Sequence, residues 1–265
     1  MEKIGIFVGT GKLPLYFLTQ ASIKDFDLYP MGLFDEIEQE IKIHPNYIRF
    51  NIGKVGNIIK YLLKNDIKKL IMLGKVEKEI IFRDMELDNV GEKLLEKLPD
   101  RKDETLLFGI ISFLRLNKIK VLPQTYLMNN LVVKKKCYTD LSPTDEDNKT
   151  IKIGHEAAKA LSAVDAGQCV VCKDSSVVAL EGIEGTDNCI KRGGDLAGKG
   201  TIIVKMSRPQ QDMRVDVPAI GINTIKMALS IGAKGIVCEA DKMLFVNEDE
   251  CIELANKNNM FILGI

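Results

Sequence analysis

The first half of the chain alternates short apolar runs with stretches in which apolar residues recur every three or four positions. Short apolar runs bounded by turn residues predict β-strands, and recurrence with the period of a helix predicts amphipathic α-helices. Alternating strands and helices are typical of a parallel sheet covered by helices. The predicted strands are 3–8, 28–33, 69–73 and 120–122, and the predicted helices are 13–22, 54–64, 92–98 and 105–116.

The second half is patterned differently, because two of its apolar runs are separated only by Asp174, Ser175 and Ser176. This spacing predicts a β-hairpin, and therefore an antiparallel pair of strands. The predicted strands are 168–173, 177–181, 201–206, 235–239, 243–246 and 261–263, and the predicted helices are 155–164, 222–231 and 248–257, with another beginning near Thr186. We therefore expect an α/β protein whose second half is of mixed α/β character.

A lysine run at 134–136 and a polar, apolar-poor stretch at 138–150 separate the two halves. Such shifts in composition are typical of domain boundaries, and a chain of 265 residues can form two domains of ~120–140 residues. We expect an N-terminal domain at 1–134, a linker at 135–150 and a C-terminal domain at 151–265.

The composition excludes several classes of protein. The chain is 46% hydrophobic and 28% charged, which excludes a disordered or low-complexity protein. Its 37 basic and 37 acidic residues cancel, so we expect no nucleic-acid partner. With only two histidines, His44 and His155, neither a histidine-rich zinc site nor a Ser-His-Asp triad is expected.

The sequence also indicates a compartment. The apolar run at the start is too short for a signal peptide, and no window approaches ~18 uninterrupted apolar residues, so we expect a cytoplasmic protein with reduced cysteines. Cys169 and Cys172 form a CxxC motif. Because a strand would point them to opposite faces of its sheet, we interpret them as ordinary buried cysteines.

A glycine-containing loop follows the first predicted strand, with Gly9, Thr10, Gly11 and Lys12 before a helix that has Pro14 near its first turn. Glycines let a backbone approach a ligand closely, and a helix N-terminus favours an anion. Dinucleotide-binding folds place their phosphates here, but Pro14 stands where their third glycine would be. A tight turn without a ligand explains the pattern equally well.

A second glycine-rich turn, from Glu181 to Asp187, contains several acids. The N–H groups at 185–187 would begin a helix and could hold a phosphate. Glu184 and Asp187 could then hold a cation beside it. The alternative is a plain turn between a strand and a helix.

The segment 205–218 carries the strongest chemical signal. If it is extended, its side chains alternate, so that Asp212, Arg214 and Asp216 share one face. Carboxylates suit Mg²⁺ or Mn²⁺, and the nearby cations Lys205 and Arg208 suit phosphate oxygens. A ladder of salt bridges is the alternative interpretation. Carboxylates and bases without a nucleophile motif indicate metal-assisted hydrolysis of a phosphate bond.

Four segments resemble the LpxI-type UDP-2,3-diacylglucosamine pyrophosphatases of lipid A biosynthesis. They are Gly9-Thr10-Gly11-Lys12-Leu13-Pro14, the Ala179–Asp187 region, the 205–221 region and the carboxyl end at 235–264. The resemblance covers nearly the whole chain in order. It implies a Rossmann-like N-terminal domain, a distinct C-terminal catalytic domain and a lipid product held between them.

The resemblance also implies the reaction. Water and Mg²⁺ cleave the diphosphate of UDP-2,3-diacylglucosamine into UMP and 2,3-diacylglucosamine 1-phosphate, with attack on the sugar-side phosphorus. A critical aspartate in the second domain corresponds to Asp212 or Asp216, and we favour Asp216. Homodimers occur in the family, and a lipid substrate implies peripheral contact with the cytoplasmic face of the inner membrane.

From the residues and the resemblance together, we expect Asp216 and Asp212 to be catalytic. The expected metal ligands are Asp212, Asp216, Glu184 and Asp187. The expected substrate-binding residues are Gly9, Thr10, Gly11, Lys12, Gly185, Thr186, Lys205, Arg208, Gln211 and Arg214.

Two other functions compete with this one. The first is a non-catalytic regulator that binds the sugar nucleotide or lipid, although two carboxylates are of little use to an anion-binding site without a metal. The second is an NAD-dependent oxidoreductase that uses the Gly9–Gly11 turn. Its ribose-binding acid would be Asp35 or Glu36, which follow the second predicted strand.

Overall fold

The computed structural model describes residues 1–21, 26–74, 86–99 and 103–265. The chain divides into two compact units. Unit 1 comprises Met1–Met128 and Met213–Asp216, and unit 2 comprises Asn129–Asp212 and Val217–Ile265.

Unit 1 is built on a five-stranded sheet in the order β3-β2-β1-β4-β5, and all of its neighbouring strands are parallel. The strands are β1 (Glu2–Val8), β2 (Phe26–Gly32), β3 (Ile48–Arg49), β4 (Lys69–Leu73) and β5 (Lys120–Val121). The helices are α1 (Leu13–Ala21), α2 (Gln39–Lys42), α3 (Val55–Lys64), α4 (Asn89–Glu96) and α5 (Asp103–Leu116). Short 3₁₀ turns follow at Gln124–Leu127 and Asn129–Leu131, the latter in unit 2.

The central strand β1 explains why this sheet is parallel. Ile4, Ile6 and Val8 point to one face and are fully buried, and Phe7 on the other face is buried as well. A strand that is apolar on both faces needs helices on both sides, which parallel connections provide. The predicted parallel sheet is therefore confirmed. The predicted end of the first helix, Ser22, lies outside the described residues.

Unit 2 is built on a five-stranded mixed sheet in the order β12-β10-β8-β6-β7, and β9 and β11 form a separate parallel pair. The strands are β6 (Cys169–Lys173), β7 (Ser176–Leu180), β8 (Ile202–Lys205), β9 (Ala219–Ile220), β10 (Gly235–Cys238), β11 (Leu244–Phe245) and β12 (Phe261–Gly264). The helices are α6 (Asp145–Ala163), α7 (Thr186–Ala197), α8 (Ile222–Ser230) and α9 (Glu248–Lys257). The predicted hairpin is confirmed, since β6 and β7 pair in the antiparallel sense.

The CxxC cysteines lie on opposite faces of β6, as predicted. Cys169 packs with Val171 in one core cluster, and Cys172 packs with Val170 in the other. Burial raises the pKa of Cys172 to about 11, so its thiol stays protonated at neutral pH. Both cysteines are free, and both fill the core.

Helix α6 is the main departure from the predicted elements, because it begins at Asp145 rather than at 155. The hydroxyl of Thr144 accepts a hydrogen bond from the N–H of Asp147, and the Asp147 side chain accepts one from the N–H of Thr144. This reciprocal capping starts a helix within the polar sequence assigned to the linker. The Asp147 carboxylate also pairs with Lys234 at 2.7 Å.

Candidate active site

Polar side chains of unit 2 gather at one edge of its sheet. Strand β8 is parallel to β10 and antiparallel to β6, which is itself antiparallel to β7. The carboxyl ends of β7, β8 and β10 therefore lie at the same edge. Open α/β sheets bind their ligands outside the carboxyl ends of strands. Among the predicted binding residues, Lys205 is the last residue of β8, Arg208 follows it, and Gly185 and Thr186 follow β7.

Glu181, which directly follows β7, fixes the turn that leads into α7. One carboxylate oxygen accepts the N–H of Gln168 at 2.9 Å, and the other accepts the Thr186 hydroxyl at 2.9 Å. Gly185 has a φ of +80°, and no atom lies within 4 Å of where its Cβ would be. This position needs glycine, and it leaves open space beside the first N–H groups of α7.

The two acids predicted to hold a metal in this turn have different surroundings. The Glu184 carboxylate pairs with Arg192, which also donates to the carbonyl oxygen of Leu180 at 2.7 Å. The hydrogen bond from Arg192 holds the pKa of Glu184 below its usual range. Asp187 lies in the first turn of α7 and is exposed.

Two cations that are predicted to bind phosphate, Lys205 and Arg208, lie at the end of β8 and the start of the loop 206–218. The Nζ of Lys205 donates to the carbonyl oxygen of Ala219 at 3.1 Å, so this side chain joins the two ends of the loop. The Nε of Arg208 lies 2.7 Å from a carboxylate oxygen of Asp165. Both cations are therefore held at the sheet edge by partners from unit 2.

Sequence reasoning missed the hydrogen bonds between Ser207 and Glu239. The N–H of Ser207 donates to Oε2 of Glu239 at 2.8 Å, and the Ser207 hydroxyl donates to the same oxygen. Lys242 donates to the other carboxylate oxygen at 3.0 Å. Burial would raise the pKa of Glu239, but these hydrogen bonds outweigh it and the pKa is lowered. The sequence feature that could have indicated this pair is that each residue comes just after an apolar strand, Ser207 after β8 and Glu239 after β10.

The loop 206–218 is not extended, so the condition under which Asp212, Arg214 and Asp216 would share one face is not met. Turns at 209–210 and 213–214 interrupt it, and Asp216 has a φ of +50°. Asp212 and Gln211 belong to unit 2, whereas Arg214 and Asp216 belong to unit 1. The prolines at 209 and 218 and the polar composition favour this turned path over a strand.

Within unit 1, Gln124 holds the segment Met213–Asp216. Its N–H donates to the carbonyl oxygen of Met213 at 2.7 Å, and its side-chain amide donates to the carbonyl oxygen of Met72 at 2.6 Å. Met72 is the penultimate residue of β4, and Gln124 follows β5. Asp216 therefore belongs to a segment anchored at the carboxyl end of the first sheet.

The glycine loop of unit 1 lies where the strand order reverses, between β1 and β4, which is the place where doubly wound sheets bind ligands. The N–H of Gly9 donates to the carbonyl oxygen of Leu73 at 2.7 Å. A Cβ on Gly74 would lie 2.7 Å from the carbonyl carbon of Gly9, so the two loops touch through backbone. Gly11 has a φ of +93° with open space around it, and Lys12 beside it is exposed.

One of the two acids that could bind an NAD ribose, Asp35, is engaged elsewhere within unit 1. Oδ1 of Asp35 lies 3.0 Å from Nη2 of Arg49 and accepts a hydrogen bond from Nε of the same side chain at 3.0 Å. Arg49 also donates to the carbonyl oxygen of Gly32 at the end of β2. Asp35 thus has a local structural role beside the sheet.

The described residues limit the kind of metal site that the chain can form. Among the described residues, no three or more His, Cys, Asp or Glu side chains form a cluster that could hold a metal. Mg²⁺ in phosphate-handling proteins uses one or two carboxylates, with waters and substrate phosphates completing its coordination. The loop 206–218 carries two carboxylates, Asp212 in unit 2 and Asp216 in unit 1. Separately, no helix among the described residues is long and apolar enough to cross a membrane.

These features define the class: a two-unit α/β protein with a Rossmann-like parallel sheet, a mixed second sheet, and polar groups at the carboxyl edges of both. Residues 3–131 match the family model of the LpxI N-terminal domain, and residues 134–263 match that of the LpxI C-terminal domain. The chain belongs to the LpxI family, as the resemblance predicted.

A curated relative is similar over its full length. The UDP-2,3-diacylglucosamine pyrophosphatase LpxI of Caulobacter vibrioides is 27% identical over 276 aligned positions. The alignment covers 100% of this chain and 98% of the relative.

Proposed function

We propose that this protein hydrolyses the diphosphate bond of UDP-2,3-diacylglucosamine to UMP and 2,3-diacylglucosamine 1-phosphate in lipid A biosynthesis. The main support for the proposal is that the chain matches the models of both LpxI domains and is similar along its whole length to a UDP-2,3-diacylglucosamine pyrophosphatase. The same reaction class follows independently from carboxylates and cations without a nucleophile motif.

The arrangement in each unit supports binding of a diphosphate. In unit 2, Lys205 ends β8 and Arg208 follows it, and α7 begins at Thr186 directly after Gly185. Cations and helix N-termini stabilise phosphate oxygens. In unit 1, the open loop at Gly11 and Lys12 lies at the point where doubly wound sheets take nucleotides.

We assign the chemistry to the acids of the loop 206–218. Asp212 and Asp216 would hold Mg²⁺ or Mn²⁺, which, when bound, supplies a Lewis acid for the phosphoryl oxygens and lowers the pKa of a coordinated water. Asp216 accepts a proton from the attacking water. The water oxygen bonds to the sugar-side phosphorus, and the bond from that phosphorus to the bridging oxygen breaks, so that UMP leaves with the bridging oxygen.

The product analysis of one reaction tests this proposal. The purified chain is mixed with UDP-2,3-diacylglucosamine and Mg²⁺ in ¹⁸O-labelled water, and the products are identified by mass spectrometry. We expect UMP without label and 2,3-diacylglucosamine 1-phosphate with one labelled oxygen, with loss of turnover in chelator. Binding without turnover in Mg²⁺ or Mn²⁺ would instead support a non-catalytic regulator, and reduction of a nicotinamide cofactor would support an oxidoreductase.

We also propose peripheral contact with a membrane from the cytoplasm, because the proposed substrate carries two acyl chains. The candidate surface in unit 1 is a shallow groove of about 580 Å³, which we call the α3–α5 groove. Its described lining is apolar apart from Asn117 and two lysines, and consists of Gly56, Ile59, Lys60, Leu63, Lys64, Val90, Phe113 and Asn117. Apolar side chains bordered by lysines suit an anionic bilayer surface.

A homodimer is the remaining proposal, and it rests on the family resemblance alone. Light scattering of the purified chain at several concentrations measures the molar mass directly. We expect about twice the mass of one 29.6 kDa chain.

A further inference from the structure

The loop 206–218 has no regular secondary structure, although it contains the acids to which the proposed function assigns catalysis. Fixing each residue of such a loop costs backbone entropy. Side-chain contacts must therefore hold it in one conformation. At the start of the loop, Ser207 makes such contacts and is buried.

Those contacts converge on a single carboxylate. Ser207 is only 2% exposed, and both its N–H and its hydroxyl donate to Oε2 of Glu239. The N–H of Glu239 donates in turn to the carbonyl oxygen of Lys205 at 3.2 Å. The end of β8 and the end of β10 are thus joined through both the backbone and the side chain of Glu239.

A carboxylate suits this position for a physical reason. Two donors on one buried residue need an acceptor with several lone pairs, and a buried donor left unpaired is destabilising. Lys242 compensates the charge from the other side. The Glu239 side chain is itself only 12% exposed, and it accepts hydrogen bonds from the N–H and hydroxyl of Ser207 and from Lys242.

We propose that Glu239 is a positioning residue that fixes the start of the loop 206–218 through Ser207, and thereby orients Asp212. The catalytic consequence of this inference rests on the proposed function, whereas the anchoring of the loop by Glu239 does not depend on it. Glu239 acts through Ser207 and needs no contact with the reacting atoms. Lys205 closes the other end of the loop through Ala219.

Hydrogen exchange of the full chain tests the anchoring without any substrate. In Glu239→Ala, we expect the amides of 207–212 to exchange at least about tenfold faster, while those of β8 and β10 keep their wild-type rates. Glu253→Ala, which removes an exposed acid of α9, serves as the matched control and should change nothing. Unchanged loop exchange, or an equal rise in the strands, would overturn the proposal.

Kinetics then separate positioning from general destabilisation. We expect Glu239→Ala to lower kcat at least about tenfold and Ser207→Ala to lower it less, because the Ser207 N–H remains. In an Asp212→Asn background, Glu239→Ala should lose most of its effect, since groups that act as a unit are not additive. Faster loop exchange with unchanged kcat would reject the positioning role, whereas a wild type without turnover would reject the proposed function alone.

Discussion

The backbone N–H of Gln124, which follows β5, lies 2.7 Å from the carbonyl oxygen of Met213. Met213–Asp216 belongs to unit 1, whereas the residues on either side of this segment belong to unit 2. The Gln124 side chain continues this contact to Met72 in β4. Gln124 is buried, which makes the amide an internal structural link rather than a surface group.

We predict that Gln124→Leu destabilises the chain by about 1–3 kcal/mol, because the partly buried carbonyl of Met72 loses the hydrogen bond donated by the Gln124 side chain. Denaturant unfolding measures the change. Gln39→Leu, at an exposed position of α2, makes the same chemical change outside the core and should be nearly neutral. Equal effects of the two substitutions would show that the buried amide contributes nothing specific.

Backbone contact between Gly74 and Gly9 predicts a second substitution. Gly74→Ala must accommodate both a φ of +88° and a Cβ at 2.7 Å from the Gly9 carbonyl carbon. Gly200 has the same φ of +88° but open space around its Cβ position. We expect Gly200→Ala to cost about 1–2 kcal/mol from backbone strain, and Gly74→Ala to cost more and to weaken nucleotide binding. The account of the loop contact is wrong if Gly74→Ala costs no more than Gly200→Ala in thermal unfolding.

Much of the fold was predictable because its signals are local. Strand β1 is apolar on both faces and α3 has an apolar stripe of helical period, so pattern alone located both. Helix α6 was predicted too short because a capping box at Thr144 and Asp147 outweighs a polar composition. The path of the loop 206–218 could not be predicted, because it depends on partners distant in sequence, namely Gln124 and Glu239.

The residues of the candidate site also divide into those with a local sequence signal and those that depend on partners distant in sequence. Lys205, Arg208 and Gly185 were predicted from charge and glycine spacing, because phosphate binding favours those residue types, and their role in binding stays a prediction. Ser207 and Glu239 were missed, because a serine and a glutamate after two separate strands become a pair only once β8 and β10 are adjacent.

A pH dependence follows from the buried ion pair of Asp147. Burial would raise the pKa of this carboxyl, but hydrogen bonds from Lys234 and Thr144 outweigh it and lower the pKa. A lowered pKa in the folded state contributes stability that is complete above about pH 4, the unfolded value, and is lost as the pH falls through the folded pKa. We expect Asp147→Asn to remove about 1 kcal/mol at about pH 7 and almost nothing at about pH 2.

Urea unfolding at those two pH values measures the difference. Asp145→Asn, at an exposed position in the same helical turn, is the control and should lose little stability at either pH. A loss for Asp147→Asn that is the same at both pH values would contradict the role assigned to the ionised carboxylate.

Membrane contact through the α3–α5 groove predicts a further effect. Leu63 is 55% exposed in this groove, and Leu116, 81% exposed, is next to its lining residue Asn117. Replacing both with serine should weaken binding to phosphatidylglycerol-containing vesicles about 30-fold, since each leucine side chain contributes roughly 1 kcal/mol on partial burial. Ile43→Ser, at an 82% exposed apolar residue outside the groove, should have little effect in the same sedimentation assay. Unchanged sedimentation of the double variant would exclude this surface.

The turnover of the purified chain, and of variants at its loop acids, tests most directly whether the chain hydrolyses the proposed substrate through Asp216. Asparagine suits the φ of +50° at Asp216, so Asp216→Asn removes the charge without backbone strain, and Asp174→Asn, at an exposed aspartate with a φ of +46°, is the matched control. The account predicts Mg²⁺-dependent release of UMP from UDP-2,3-diacylglucosamine by the wild type and by Asp174→Asn. It predicts a loss of at least about 10²-fold in Asp216→Asn. A wild type that releases no UMP, or full activity in both Asp212→Asn and Asp216→Asn, would contradict it.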